Sequence, residues 1–297
     1  MNAEPPRQLR VALGEYDIGW HDPVTSLARA RVLVADAARA GARLVVLPEM
    51  ATTGFTMDRS QATPLAGGHS AQLAEIAATS NVWLIASVAA TEALPLGGGR
   101  PAEGTTDRAV NAALVIDPAG KIVAVYRKQK LFAFGGEHEH YAAGTERVVV
   151  DIDGVRIAPL VCYDLRFPEL FRAIARDVDA FILVANWPTA RRTHWDVLAR
   201  ARAIENQAYM IAVNRTGRGG TLDYDGGSVA WTPWGDPAPE TVSSGGIRIA
   251  TIDPSFVSEI RGKYPFLRDL VLPRDTASST PRSTPSDTVR GAASGTR

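Results

Sequence analysis

The stretch VRIAPLVCYDLRFPEL, residues Val155–Leu170, decides the fold. Its first seven residues form an apolar run of strand length that drives straight into Cys162. A polar segment punctuated by Pro168 follows at once, and RFPELFRAIAR (166–176) carries apolar residues at helical spacing. A buried strand that hands over directly to a helix belongs to a sheet covered by helices. Cys162 is the only cysteine in 297 residues, so no internal disulfide forms and nothing points to an oxidising compartment. Taken alone, an unpaired cysteine is most often a small, inert core residue. Its place at a strand end gains meaning only from what lies at the other strand ends.

Working outward, β-like and helical runs alternate. LRVALGEYDI (9–18) reads as a strand, and DPVTSLARARVLVADAARA (22–40) as a helix capped by Asp22 with Pro23 at its first position. ARLVVLP (42–48) and VWLIASVA (82–89) are strands around a helix, SAQLAEIAATS (70–80). AVNAALVID (109–117) and KIVAVYRK (121–128) form a hairpin across PAGK, and RVVVDIDGVRIAPLV (147–161) a second one turning at DIDG. Then come a strand AFILVAN (180–186), a helix RTHWDVLARARAIENQAY (192–209), a strand MIAVNR (210–215), strands near GGSVAWTP (226–233) and GIRIATID (246–253), and a helix PSFVSEIRGKY (254–264). Hairpins mixed with βα units predict an α/β protein of mixed sheets with helices outside them.

Lys plus Arg equals Asp plus Glu, 32 each, which offers no electrostatic case for nucleic acid or an anionic membrane. The start, MNAEPPRQLR, lacks the apolar core of a signal peptide, and no run approaches a membrane span. A soluble cytoplasmic protein acting on a small molecule is the expectation. From Pro273 to Arg297 the chain is Ser, Thr, Pro and Gly with almost nothing apolar. Such a segment cannot offset its ordering entropy, so residues 1–272 are read as one domain and 273–297 as a disordered tail.

Glu49 follows RLVVLP, Lys128 ends KIVAVYRK, and Cys162 ends VRIAPLV. Each alone reads as an ordinary surface or core residue. Together they supply a thiol, a carboxylate able to take its proton and an ammonium able to stabilise negative charge.

Four blocks, VVLPEMATTGF (45–55), YRKQKLF (126–132), PLVCYDLRFPEL (159–170) and ANWPTARRTHWDVLARARAIENQAY (185–209), resemble in order the Glu, Lys and Cys blocks of the nitrilase, or carbon–nitrogen hydrolase, superfamily. The likeness runs from about Leu9 to Arg268, and EHEHYAAG (137–144), LVCYDLRFP (160–168), VANWP (184–188) and RAIENQAY (202–209) are most similar to bacterial omega-amidases. The resemblance implies a four-layer αββα sandwich, a Glu49 general base, a Lys128 catalytic lysine and a Cys162 nucleophile, with Glu137 as a supporting second carboxylate. It also implies an oxyanion held by Lys128 and the Tyr163 backbone N–H, no metal or organic cofactor, and a homodimer paired through the helices after the nucleophile strand. Lys130, two residues past Lys128, would share its face in an extended strand and bring a second positive charge near the site.

The implied activity is hydrolysis of the terminal amide of a 2-oxo acid, with deaminated glutathione and N-carbamoyl amino acids as alternative substrates and a silent binding scaffold as the non-enzymatic alternative. A substrate carboxylate calls for a guanidinium or ammonium. Arg191, Arg192, Arg166 and Lys130 are the candidates, with Trp187 and Phe55 as apolar walls. His138, Glu139 and His140 lack the i,i+4 spacing of a helical zinc motif, and no third ligand is evident. His194 could serve a Cys–His pair, but it sits in a helical pattern where packing or capping explains it.

Overall fold

The structure, a computed structural model, describes residues 8–93 and 107–271. The boundary at residue 272 and the tail 273–297 lie outside the described residues. In chain order the elements are β1 (Leu9–Leu13), α1 (Pro23–Arg39), β2 (Leu44–Val46), β3 (Thr63–Pro64), α2 (Gly68–Ser80), β4 (Trp83–Ala93), β5 (Asp107–Ile116), β6 (Ile122–Arg127), α3 (Glu137–His140), β7 (Val150–Ile152) and β8 (Val155–Val161). They continue with α4 (Pro168–Arg172), β9 (Ala180–Ala185), α5 (Arg192–Asn206), β10 (Tyr209–Asn214), β11 (Thr216–Gly219), β12 (Leu222–Asp225), β13 (Val229–Trp231), β14 (Glu240–Val242), β15 (Arg248–Ile252) and α6 (Pro254–Lys263).

Two sheets stack face to face. The larger runs β14-β15-β1-β2-β4-β5-β6, with β3 also on β4, and the smaller runs β13-β10-β9-β8-β7. β1, β2 and β4 are parallel, as are β8, β9 and β10, while hairpins and edge strands add antiparallel partners. The two-residue side-chain period sorts the larger sheet into two faces. Val11, Leu13, Leu44, Val46 and Ile85 point at the smaller sheet. Ala12, Val45, Leu84 and Ala86 point outward, where Ala30, Val34 and Ala37 of α1 and Leu73 and Ile76 of α2 cover them.

β8, β9 and β10 are buried along nearly their whole length because both their faces are covered. Phe171 of α4 and Trp195, Ala199 and Ala203 of α5 close their outer side. The result is a four-layer αββα sandwich. Each fully buried Val, Leu or Ile in it contributes about 1.5–3 kcal/mol.

Local chemistry sets several boundaries. Asp22 accepts from Thr25 N–H at 3.0 Å and Pro23 opens α1, as the sequence predicts. β1 stops at Leu13 rather than Ile18, because Gly14 turns against β2. A side chain there would place its Cβ 2.5 Å from the Val46 carbonyl oxygen. Asp153 and Gly154 both have positive φ, 52° and 89°, the geometry of the tight turn between β7 and β8. The predicted helix 166–176 is shorter than its pattern. Only Pro168–Arg172 is α-helical, and the chain then tightens into i→i+3 turns at Ile174, Ala175 and Asp177. Among the described residues no helix is long and apolar enough to cross a membrane.

Candidate active site

Glu49, Lys128 and Cys162 each follow the last residues of a strand, β2, β6 and β8, and the sandwich brings those ends together. Glu49 and Lys128 are fully buried and joined at 2.9 Å, Oε1 to Nζ. Glu137, the first residue of α3, meets the same Nζ from the other side at 2.8 Å, and accepts from Phe132 N–H at 2.6 Å. Asn111 on β5 completes the cluster, donating its amide to Glu49 at 2.8 Å and to Glu137 at 3.1 Å. Ser87 of β4 orients that amide, giving its hydroxyl to Asn111 Oδ1 and accepting from Met50 N–H. Asn186, just past β9, donates its backbone N–H to the second Glu49 oxygen at 2.9 Å and its side-chain amide to the Glu49 carbonyl. Each Glu49 oxygen thereby has at least one donor, and the donors together come from β5 and the ends of β6 and β9.

Cys162 sits at the turn out of β8 with φ of 45°, left-handed backbone that non-glycine residues rarely adopt. The strained turn aims Sγ toward the Asn186 carbonyl, 3.9 Å away, and into a pocket open to the surface. Tyr163 is the second residue of the 3-10 turn Cys162–Arg166, where a backbone N–H has no acceptor within the turn. Asp164 locks the turn from below. It accepts from Val161 N–H at 3.0 Å, Lys130 N–H at 2.9 Å and the Tyr126 hydroxyl at 2.9 Å, so one carboxylate ties the cysteine's turn to the lysine's strand end.

Charge and burial oppose each other here. Burial raises the Cys162 thiol well above its ordinary pKa and the neighbouring Glu49 carboxylate raises it further, outweighing the pull of Lys128. The resting group is therefore a thiol, which needs a base to take its proton. Burial alone would lower Lys128, but Glu137 and Glu49 reverse that and hold it cationic. Burial pushes Asp164 up to about 6, against the stabilising N–H donors of Val161 and Lys130. The arrangement brings together a buried thiol, a fixed carboxylate and an ammonium, the group types that proton transfer and stabilisation of negative charge call for.

The remaining sequence candidates separate. Phe55 and Trp187 line the pocket, joined by Phe132 and Leu222. Arg166 and Arg191 line it too, and aromatic rings hold both: the Arg166 guanidinium lies 4.9 Å from the Trp187 ring and Arg191 5.4 Å from Phe132. Arg192 lies elsewhere, paired with Asp196 at 2.9 Å and Asp225 at 3.6 Å. Lys130 also turns away, to Glu169 at 3.3 Å and over the Phe167 ring, because β6 ends at Arg127 and no extended strand carries Lys130 beside Lys128. His194 is exposed and rests against Arg166 at 3.2 Å rather than on the thiol. His138 and His140 lie in the single turn of α3, and among the described residues no cluster of three His, Cys, Asp or Glu could hold a metal.

The sequence reading missed Asn111, Ser87, Asn186 and Asp164, although a polar Asn inside the apolar run AVNAALVID was a signal. It also missed the small ribbon β11–β12, whose Tyr224 reaches the pocket from a Gly-rich, polar segment that reads as a loop.

The sequence model of the family described as carbon-nitrogen hydrolase matches residues 10–262. An omega-amidase YafV from Yersinia enterocolitica is 40% identical over 209 residues, covering 70% of this chain and 75% of that protein. A 2-oxoglutaramate amidase from Bacillus subtilis (strain 168) is 31% identical over 257 residues, 86% and 95% of the two chains. The crystal structure of XC1258 from Xanthomonas campestris, a CN-hydrolase superfamily protein with an arsenic adduct in its active site, superposes with a TM-score of 0.78 at 35% identity. It covers 90% of this chain and 100% of that one.

Proposed function

The chain belongs to the carbon–nitrogen hydrolase family, and from that premise we propose that it is an omega-amidase, releasing ammonia from the terminal amide of small 2-oxo acid amides through a Cys162 thioester. Relatives named for that activity support the substrate class. The observation that carries the chemistry is Glu49 held by Lys128, Asn111 and Asn186 beside a buried thiol.

In this mechanism Glu49 takes the Cys162 proton as Sγ bonds to the amide carbon. The carbonyl oxygen becomes an oxyanion and is met by Lys128 Nζ and Tyr163 N–H, a donor pair of which each member is worth about 3–4 kcal/mol of barrier. Proton transfer and attack leave the net charge of the buried cluster unchanged, which suits groups shielded from solvent. Protonated Glu49 gives its proton to the departing nitrogen, ammonia leaves, and a thioester remains. Glu49 then removes a proton from water, whose oxygen attacks the thioester. Collapse of the second tetrahedral intermediate frees the acid, and the proton returns to sulfur. Glu137 positions Lys128 and, through Asn111, Glu49.

Arg166 and Arg191 would bind a substrate carboxylate: both line the pocket, and among the described residues no acidic side chain lines it with them. We also take the enzyme to be a cytoplasmic homodimer. A lone free cysteine suits a reducing compartment. Val197 and Ile204, seven residues apart on α5, are 61% and 47% exposed, an apolar face of the kind a second copy covers.

The test is ammonia release from 2-oxoglutaramate, 2-oxosuccinamate, deaminated glutathione, carbamoyl-β-alanine and glutamine, for the wild type and for Arg166→Ala, Arg191→Ala and Arg192→Ala. The reading predicts highest kcat/KM on 2-oxoglutaramate or 2-oxosuccinamate, KM raised about 10- to 100-fold in the first two variants, and little change in the third. Preference for deaminated glutathione or the carbamoyl compound would leave the family assignment standing and end the omega-amidase reading.

A further inference from the structure

The pocket holds a buried phenol that the mechanism does not use. Tyr224 lines it from β12 and is only 6% exposed, whereas Arg166 and Arg191 are half-buried at its mouth. Among the described residues its hydroxyl has no hydrogen-bond partner, yet it is not among the polar atoms sealed away without one.

The ribbon β11–β12 is built to hold that ring in place. Across the ribbon Tyr224 is paired with Gly217, and a side chain at Gly219 would come within 3.3 Å of the ring. The fully buried Arg215 lays its guanidinium 4.8 Å from the ring centre, on the side supported by Asp17 and the Ile18 carbonyl. Thr189 donates to the Asp223 carbonyl at 3.1 Å, fastening the ribbon to the turn that carries Arg191.

We propose that Tyr224 is a specificity-determining residue whose phenol donates a hydrogen bond to the 2-oxo oxygen of the substrate. This rests on the omega-amidase reading above and assigns the one substrate oxygen that reading leaves unmatched. A 2-oxo acid amide bound through its amide carbon at Cys162 presents the ketone before the carboxylate along its chain. A neutral donor deep in the pocket and two cations at its mouth follow that order. Phenol to ketone and guanidinium to carboxylate are the matched pairings, since a cation is best used on the charged acceptor. Burial holds the Tyr224 pKa up to about 12, so the hydroxyl keeps its proton to donate at any working pH.

The experiment compares wild type and Tyr224→Phe on two amides of equal length, 2-oxoglutaramate and glutaramate, which keeps the carboxylate and lacks the ketone. The hydroxyl has no protein partner to lose, so the variant keeps its fold; a thermal melt checks this. The expected result is a kcat/KM for 2-oxoglutaramate lower by about 10-fold or more, a change below about 3-fold for glutaramate, and loss of the wild-type preference between them. Equal losses on both amides, or no loss on either, would overturn the assignment. A wild type that hydrolyses neither amide while cleaving another class of substrate would overturn the omega-amidase reading, and this proposal with it.

Discussion

Lys128 and Lys130 are two residues apart and meet opposite surroundings. Lys128 is fully buried between two carboxylates, while Lys130 reaches a half-exposed contact with Glu169. Removing the first leaves Glu49 and Glu137 buried without their cation, at a cost of about 3–5 kcal/mol. Removing the second breaks a surface pair worth less than about 1 kcal/mol. Lys128→Met is therefore expected to be inactive and markedly less stable to urea, and Lys130→Ala to keep both its stability and its KM. A raised KM in Lys130→Ala would return that residue to the pocket. Glu49, Lys128 and Cys162 were legible because reactive side chains stood at the ends of recognisable strands. Lys130 was misjudged because its orientation depends on where β6 stops, and boundaries are what pattern reading fixes least well. Tyr224 gave no signal at all, since TGRGGTLDYD has neither alternation nor a helical period.

At the scale of elements, the site depends on β6 and β8 ending in register, and Asp164 is the clasp. Ionised, it accepts three hydrogen bonds; protonated, one of its accepting positions is occupied by the new proton. With its pKa raised to about 6 by burial, the clasp is complete above that pH and weakened below it. Wild-type kcat should therefore fall as pH drops through about 6. Asp164→Asn, carrying an NH2 where an acceptor is needed, should be slow at neutral pH and lack that limb. The stability linkage has the opposite sense. A carboxyl whose folded pKa lies above its ordinary value of 3.8 stabilises the fold fully below that pH, and the contribution is lost as pH rises through about 6. Melting temperatures across that range should show a slope in the wild type that flattens in the variant; an unchanged slope and kcat profile would remove the clasp. The strands and long helices behind this were readable from their periods. The shortening of α4 was not, because its apolar spacing continues through 3-10 turns that pack on the same core.

At the scale of the molecule, the αββα sandwich leaves α5 as an outer layer with Val197 and Ile204 exposed seven residues apart on one face. If a second copy covers that face, Val197→Glu combined with Ile204→Glu converts a dimer to a monomer without unfolding it, since neither side chain lies in the core. Light scattering reads the outcome, and a wild type that is monomeric at micromolar concentration would contradict the dimer. Mixed sheets with helices outside them were readable from βα alternation with hairpins, whereas the four-layer order came from the resemblance of the motif blocks to a known family. One edge of each sheet was not readable, because β14 of the larger sheet and β13 of the smaller are three residues each, too short to show a period.

The central claim is that this chain cleaves a 2-oxo acid amide through a covalent bond to Cys162, and the most direct test weighs the intact protein after rapid acid quenching during turnover of 2-oxoglutaramate. The account predicts a species heavier than the free enzyme by the substrate less ammonia, placed on Cys162 by peptide mapping and absent from a folded, inactive Cys162→Ala. Ammonia release by that alanine variant, or an adduct on any other residue, would contradict it.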